Sequence, residues 1–347
     1  MVLRNNLMNK KKIFSNLFSF FLAITLLIFI LKWIFKDLNT SDLLLNLDSI
    51  SLINVSLLAL SAIFNIWLFQ YPYLVTTRKL TYFQAFQIRN TSFAISNCLP
   101  AGGTLGLAVQ YSMFKSFRIS NQAISTTIAI SSVWNGLISF LMPLIGLISL
   151  VFVGDPGINL IKSAFLGVLA IVLSISVIYF VFKSKDTATF VGKLLNKLIN
   201  PILKIFKAKK IDLAKSLVNF RDTTIFMVRK KWFSITITNF LVQLSMFLIF
   251  WVSCEALSLN LSPLLLFAIF CFGRFGTNIP FTPGGVGTTD VIMISMLTLY
   301  GANNATAVVA VFLWRIFYYI PQVLIGLGSF IYWQLSRSTS RLTRLFF

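Results

Sequence analysis

With 347 residues, 57% of them hydrophobic, only 11% charged and a net charge of +21, the chain is far from an average soluble domain, where roughly a quarter of residues are charged. Apolar runs of the length needed to cross a bilayer core, about 20 residues, recur from residue 13 to residue 334 and make nearly all of it membrane domain. The basic excess invites a nucleic-acid reading, but Lys and Arg sit in short segments flanking the apolar runs, as the positive-inside bias places them, and no nucleic-acid partner is expected.

Residues 1–12 form a basic cytoplasmic N-terminus ending in Lys10, Lys11 and Lys12. The run Ile13–Leu31 is too long for a signal core, and Lys32-Trp33 stands where a small-residue cleavage site belongs. Residues 13–35 therefore read as a first, outward span, and 50–71 return to Arg78-Lys79. The stretch from Leu80 to Phe114 starts and ends beside basic residues, and its second half, Thr104–Phe114, is too short to cross. It reads as a hairpin from the cytoplasmic side.

Residues 123–153 go out, turn at 154–159, and 160–182 come back to a basic cytoplasmic loop, 183–231. Within that loop Phe190, Val191, Leu194, Leu195, Leu198 and Ile199 form an apolar stripe beside Lys193 and Lys197, until Pro201 interrupts. The pattern suits an amphipathic helix lying on the membrane and equally a helix packed on neighbouring loops. Residues 232–254 cross outward to Glu255, 263–300 start and finish outside, and 305–334 cross last into the basic tail 335–347. Three full crossings from residue 263 would satisfy the same parity. The fold class is thus all-α: a polytopic membrane protein with about six full spans and two Pro/Gly-broken hairpins in one domain, 13–334. Both termini are expected in the cytoplasm and the chain in the plasma membrane.

The two interrupted stretches share an order. "RNTSFAISNCLPAGGTLG" (89–106) and "RFGTNIPFTPGGVG" (274–287) each run from an Arg, through an Asn, to a Pro, a Gly-Gly pair and a further Gly. In hydrocarbon a broken helix survives only where protein or a wet cavity covers it, and paired interruptions point to a midplane transporter site. Freed N–H groups at such a break favour an anion. Arg89, Arg274, Asp290 and Arg315 lie within apolar segments, where each charge costs about 2.5–3.5 kcal/mol. Three arginines and one acid leave a positive surplus, which suits an anionic lipid phosphate. Alternatives stay open: Arg89 snorkelling to the interface, Arg274 and Asp290 as a structural ion pair, and Asn97, Asn278, Thr282, Thr288 and Thr289 as helix caps.

"NIPFTPGGVGTTD" (278–290), followed by an apolar helix, Gly301 and a last span carrying Arg315, resembles the transmembrane region of lysylphosphatidylglycerol synthase, a flippase-like family, and "LPAGGTLGLAVQYSMFKSF" (99–117) resembles its earlier Gly-Gly segment. The resemblance spans roughly residues 13–334. It implies a membrane region that moves a lipid between leaflets, and it implicates Pro283, Gly284, Gly285, Gly287 and Asp290 with Arg274 and Arg315. Two departures stand out: Asp290 where many members have Glu, and no Arg after Gly102-Gly103. The chain stops about ten residues after its last span, so the family's aminoacyl-transfer domain and its synthase activity are not expected here.

The leading expectation is a lipid flippase-like transporter whose partner is an anionic membrane phospholipid, with further copies of the chain left open as partners. Arg89, Arg274 and Arg315 would hold the phosphate, Gly102, Gly103, Gly284 and Gly285 would offer backbone N–H groups, and Asp290 would orient an arginine or meet a cationic headgroup. A membrane-embedded lipid-modifying enzyme is disfavoured, because the chain has no His and no paired carboxylates. A transporter of a small soluble anion fits the same features. No cofactor or metal is expected: Cys98, Cys254 and Cys271 lack metal-type spacing, and Gly192-Lys193, the sole Gly-Lys pair, has neither the Ser/Thr nor the first Gly of a P-loop.

Overall fold

The computed structural model describes residues 50–98, 102–153, 179–205, 212–278 and 287–346, with residues 45, 47, 48, 172, 176, 177 and 285 singly. Among the described residues there is no strand. The helices are α1 (Leu52–Leu68), α2 (Tyr71–Thr76), α3 (Tyr82–Cys98), α4 (Gly102–Ser116), α5 (Asn121–Val153), α6 (Lys185–Ile205), α7 (Leu213–Glu255), α8 (Pro263–Phe275), α9 (Thr288–Leu299) and α10 (Asn304–Phe346).

Polar residues at the boundaries start these helices. Ser51 caps α1 by accepting from Asn54 N, and Ser262 caps α8 ahead of Pro263 by accepting from Leu265 N, each satisfying a donor that the first turn orphans. Thr81 and Gln84 close a reciprocal capping box on α3, at 3.1 and 3.3 Å. Inside the spans, Ser56, Ser149, Thr236 and Ser253 donate to the carbonyl four residues back. A hydroxyl in hydrocarbon is thereby satisfied within its own helix.

Four helical stretches are long and apolar enough to cross a membrane: Leu52–Thr76, Asn121–Val153, Leu213–Glu255 and Asn304–Ser336. They match four of the six expected spans. The expected span 13–35 lies outside the described residues, as does 160–182 except near its C-terminal end. Within residues 183–231, α6 occupies 185–205, where the apolar stripe suggests a helix, while α7 begins at Leu213, well before residue 232. Its N-terminal half is held by the Asp212 cap (2.8–3.4 Å contacts to Ser216, Lys215 and Asn196) and by packing on α6. Pro201 does not end α6 either; it lies close to the helix end, where the missing N–H costs one bond.

Both interrupted stretches fold as antiparallel helical hairpins. On α4 a Cβ at Gly102 would strike the Ile95 and Ser96 carbonyls, and one at Gly106 would meet Ser92 and Ser96. In the second hairpin Gly273 faces Met293 and Gly276 faces Thr289. Gly102 and Gly106, with Ser92 and Ser96 opposite, make the small-residue seam by which helices approach closely in a membrane. Gly146 repeats the device where α5 meets α8, against Cys271 and Ala268.

The main core lies around Trp314, where α1, α7, α8, α9 and α10 meet through residues such as Leu58, Phe250, Phe270 and Met293. A second core joins α3, α4 and the start of α5 through Ile88, Met113, Phe114 and Ile124. The two hairpins meet chiefly through α10, which packs on α3 along one side and on α9 along another.

Gly326 of α10 faces the Asn90 carbonyl and Ala94 Cβ, whereas Gly328 has open space where a Cβ would be. Gly326→Ala is expected to destabilise the purified protein by about 1–3 kcal/mol, as overpacking does, and so lower its thermal unfolding midpoint, while Gly328→Ala leaves the midpoint unchanged or raises it slightly. Equal effects would disprove the close α3–α10 seam.

Candidate functional site

The second hairpin is organised by one carboxylate. Gly285 (φ 68°) and Gly287 (φ 92°) are left-handed, a conformation that a side chain disfavours. At Gly285 a Cβ would also sit 2.8 Å from Thr277 Cα. This turn frees backbone groups that must find partners. Asp290, one turn into α9, accepts from Gly287 N at 2.7 Å through one oxygen and from Arg315 Nε at 2.6 Å through the other. Arg315 Nη2 donates to the Gly285 carbonyl at 3.1 Å. Thr277 and Thr288 donate to the Arg274 and Gly276 carbonyls at the end of α8.

The ion pair is therefore Asp290–Arg315, across two helices, and the alternative pairing of Asp290 with Arg274 is not formed. Arg274 is 9% exposed and donates from Nε to Gln243 Oε1 of α7 at 2.9 Å. Arg315 also lies over the rings of Trp314 and Tyr319, at 4.9 and 5.1 Å.

Arg89 has a different setting. Its guanidinium lies 3.9 Å over the Phe69 ring and 4.5 Å over that of Tyr73, and among the described residues it makes no ion pair. It borders a cavity of about 240 Å³. From α3 the wall takes Ser92, Phe93, Ser96 and Asn97; from α5, Ser131, Ser132 and Asn135; Gln110 of α4 and Asn239 of α7 complete its polar part. Among the described residues no carboxylate lines it. Asn97 and Asn239 each donate to their own helix, to the Phe93 and Ile235 carbonyls, which fixes the amides and leaves their oxygens available. The Ser131 hydroxyl is buried with no partner among the described residues.

Cavity and ion pair are neighbours. Phe93, on the cavity wall, packs against Tyr318 and Tyr319 of α10 at 5.7 and 5.4 Å. Tyr318 stands within electrostatic reach of Arg274, Arg315 and Arg89 together. On α7, Asn239 of the cavity and Gln243, the partner of Arg274, are one helical turn apart.

Of the residues expected from the sequence, Arg89 and Asn97 line the cavity. Arg274, Gly285, Gly287, Asp290 and Arg315 gather at the second hairpin, and Asn278 ends its 3-10 turn. Gly102 is buried in the α3–α4 seam and Gly103 is exposed, neither on the cavity wall. Pro283, Gly284 and Thr282 lie outside the described residues. The sequence reading omitted Ser92, Ser96, Gln110, Ser131, Ser132, Asn135, Asn239 and Gln243. Their signal was available: Ser131, Ser132 and Asn135, like Asn239 and Gln243, are polar residues at helical spacing inside apolar runs.

The coupling of Asp290 to Arg315 has a stability signature. Their side chains are 11% and 12% exposed, and removing one member of a buried pair costs about 3–5 kcal/mol because the other charge stays buried. Asp290→Asn and Arg315→Gln are each expected to lower the unfolding midpoint strongly, and the double variant by clearly less than their sum. Strict additivity in thermal unfolding would show the pair is not coupled.

No curated protein matches the chain. The family described as Lysylphosphatidylglycerol synthase TM region matches residues 20–326, a stretch holding both hairpins, the cavity and all three arginines. The chain belongs to the lysylphosphatidylglycerol synthase transmembrane-region family.

Proposed function

We propose that the protein moves an anionic phospholipid between leaflets, with the headgroup passing through the polar interior while the acyl chains stay in the bilayer. The observation that carries this reading is the cavity in which Arg89 stands among hydroxyls and amides, with no carboxylate on the wall among the described residues. Aromatic faces hold the guanidinium from above but do not occupy its in-plane N–H donors, which match a phosphate. Ser92, Ser96 and Ser131 add hydroxyl donors around it.

From Arg89 the anion would pass toward Arg274 and Arg315, by the Asn239–Gln243 edge of α7 and past Phe93 and Tyr318. Asp290 acts in this scheme as the residue that orients Arg315. Its oxygens already accept from Arg315 and Gly287, which weighs against a role as general base in a lipid-modifying enzyme. Each hairpin is proposed to be re-entrant: α8 and α9 have 13 and 12 residues, short of the ~20 needed to cross.

The orientation proposed from the basic segments has support in the packing. Thr77, next to Arg78, hydrogen-bonds Thr127, and Lys231 Nζ donates to the Val75 carbonyl. Arg78, Lys231 and the start of α5 after Arg118 are thereby brought to one end of the bundle, the end we assign to the cytoplasmic face of the plasma membrane.

Leaflet exchange of a fluorescent anionic phospholipid in proteoliposomes tests the proposal, at matched density of folded protein. Wild type is expected to exchange the probe, Arg89→Gln to slow it at least about tenfold, as loss of a hydrogen bond to a charged group implies, and Arg89→Lys to retain an intermediate rate. Equal rates for wild type and Arg89→Gln would refute the cavity as the route. Inhibition by free glycerophosphate together with its own uptake would reassign the cavity to soluble anions.

A further inference from the structure

Helix α6 is 21 residues long, yet it is not among the helices apolar enough to cross a membrane. Its apolar residues divide between two contacts. Ala188, Val191 and Leu195 are covered by Leu217, Val218 and Phe220 of α7, and Gly192 lets the Ala214 backbone approach. Phe190, Leu194 and Leu198 recur at four-residue spacing beside that seam and remain 69%, 50% and 59% exposed. Lys193 and Lys197, both exposed, run along the outer edge of this second stripe.

The surroundings carry one sign of charge. Residues 183–231 hold thirteen Lys and Arg against three Asp. Two of the Asp residues are engaged locally: Asp222 with Lys185 and Arg221 at 3.0 Å each, and Asp212 as the α7 cap. The Lys185 contact, with Arg221 beside it, holds the Asp222 carboxyl below its usual range. Lysines are thus left facing outward next to an uncovered apolar ridge, on a helix fixed to α7 as α7 runs into the membrane span.

We infer that α6 is an interfacial helix that binds the anionic lipid surface of the leaflet beside it, inserting Phe190, Leu194 and Leu198 among the acyl chains and placing Lys193 and Lys197 at the headgroup phosphates. An apolar ridge alone fits any apolar partner; its lysine edge and the basic surroundings select a negatively charged surface. This inference is independent of the transport reading, because it concerns neither the cavity nor the arginines of the hairpins.

The test uses the full chain in nanodiscs of phosphatidylcholine, alone or with phosphatidylglycerol admixed. Cys98, the exposed cysteine, is changed to Ser, and an environment-sensitive fluorophore is attached at Leu194→Cys or, on another face of α6, at Thr189→Cys. At position 194 the fluorophore is expected to be quenched by nitroxide-bearing lipid and shielded from aqueous iodide, more so with phosphatidylglycerol; at position 189 iodide should reach it. Lys193→Glu with Lys197→Glu should erase the phosphatidylglycerol-dependent part, about fivefold for each lysine lost, as should high salt. Three results would overturn the inference: iodide quenching at 194 equal to that at 189, shielding at 194 from both quenchers, which means protein covers the ridge, or lipid quenching indifferent to phosphatidylglycerol and to both lysines. Elution as a single folded species is required of each variant, and Leu194→Cys alone, on an exposed position, serves as the folding control.

Discussion

A broken helix in hydrocarbon must satisfy its own backbone, and in this protein the Asp290 carboxylate does so while fixing a second helix. One oxygen takes the Gly287 N–H and the other takes Arg315; Arg315 in turn donates to the Gly285 carbonyl. The left-handed glycines 285 and 287 allow the chain to turn tightly enough for both contacts. Without the carboxylate, an N–H at the start of α9 would lose its partner and a guanidinium its counter-charge, in a medium where each costs several kcal/mol. Hairpin geometry and the position of α10 therefore share one anchor.

That anchor distributes charge unevenly among the three arginines. Arg315 is compensated by a carboxylate. Arg274 has a neutral amide, which satisfies an N–H but leaves the charge in place. Among the described residues Arg89 has π-faces and no ion pair, the faces being worth about 0.5–2 kcal/mol, and it borders a cavity edged by hydroxyls. The order of increasing availability to an anion is thus Arg315, Arg274, Arg89, and the most available arginine is the one beside open volume. The positive surplus read in the composition of these segments becomes, in three dimensions, a gradient.

The sequence showed the hairpins because Gly and Pro act locally: the residues that break a helix are the residues that permit the break, so 89–106 and 274–287 announce themselves. It showed four of the spans for the same reason, since hydrophobic length is a property of a single segment. The cavity is not local. Its wall draws on α3, α4, α5 and α7, and each polar residue taken alone reads as a tolerated Ser or Asn bonded to its own helix. The pairing of Asp290 failed to show for a related reason. Proximity along the chain favours Arg274, but Arg274 faces α7 and Asp290 faces α10, so helical phase and not sequence distance chooses the partner. The helical character of 213–231 was hidden by its charge density, which reads as a loop when packing against α6 is unknown.

Helix α10 links two hairpins that have little direct contact with each other. Trp314 and Tyr318 are four residues apart and stack at 5.9 Å, and Arg315 lies over Tyr319, also four residues on. Over these two turns Arg315 reaches Asp290 of the second hairpin, while Tyr318 and Tyr319 both reach Phe93 of the first. A displacement of α10 along its axis would strain the ion pair and the aromatic contact together, because one helical turn bears both. One turn farther along α10 than Gln322, Gly326 admits the α3 backbone, which keeps α3, and with it Arg89, at close range to the same helix. The relative placement of Arg89 and Arg315 is consequently tied to this one helix, whereas Arg274 is held separately by Gln243 of α7.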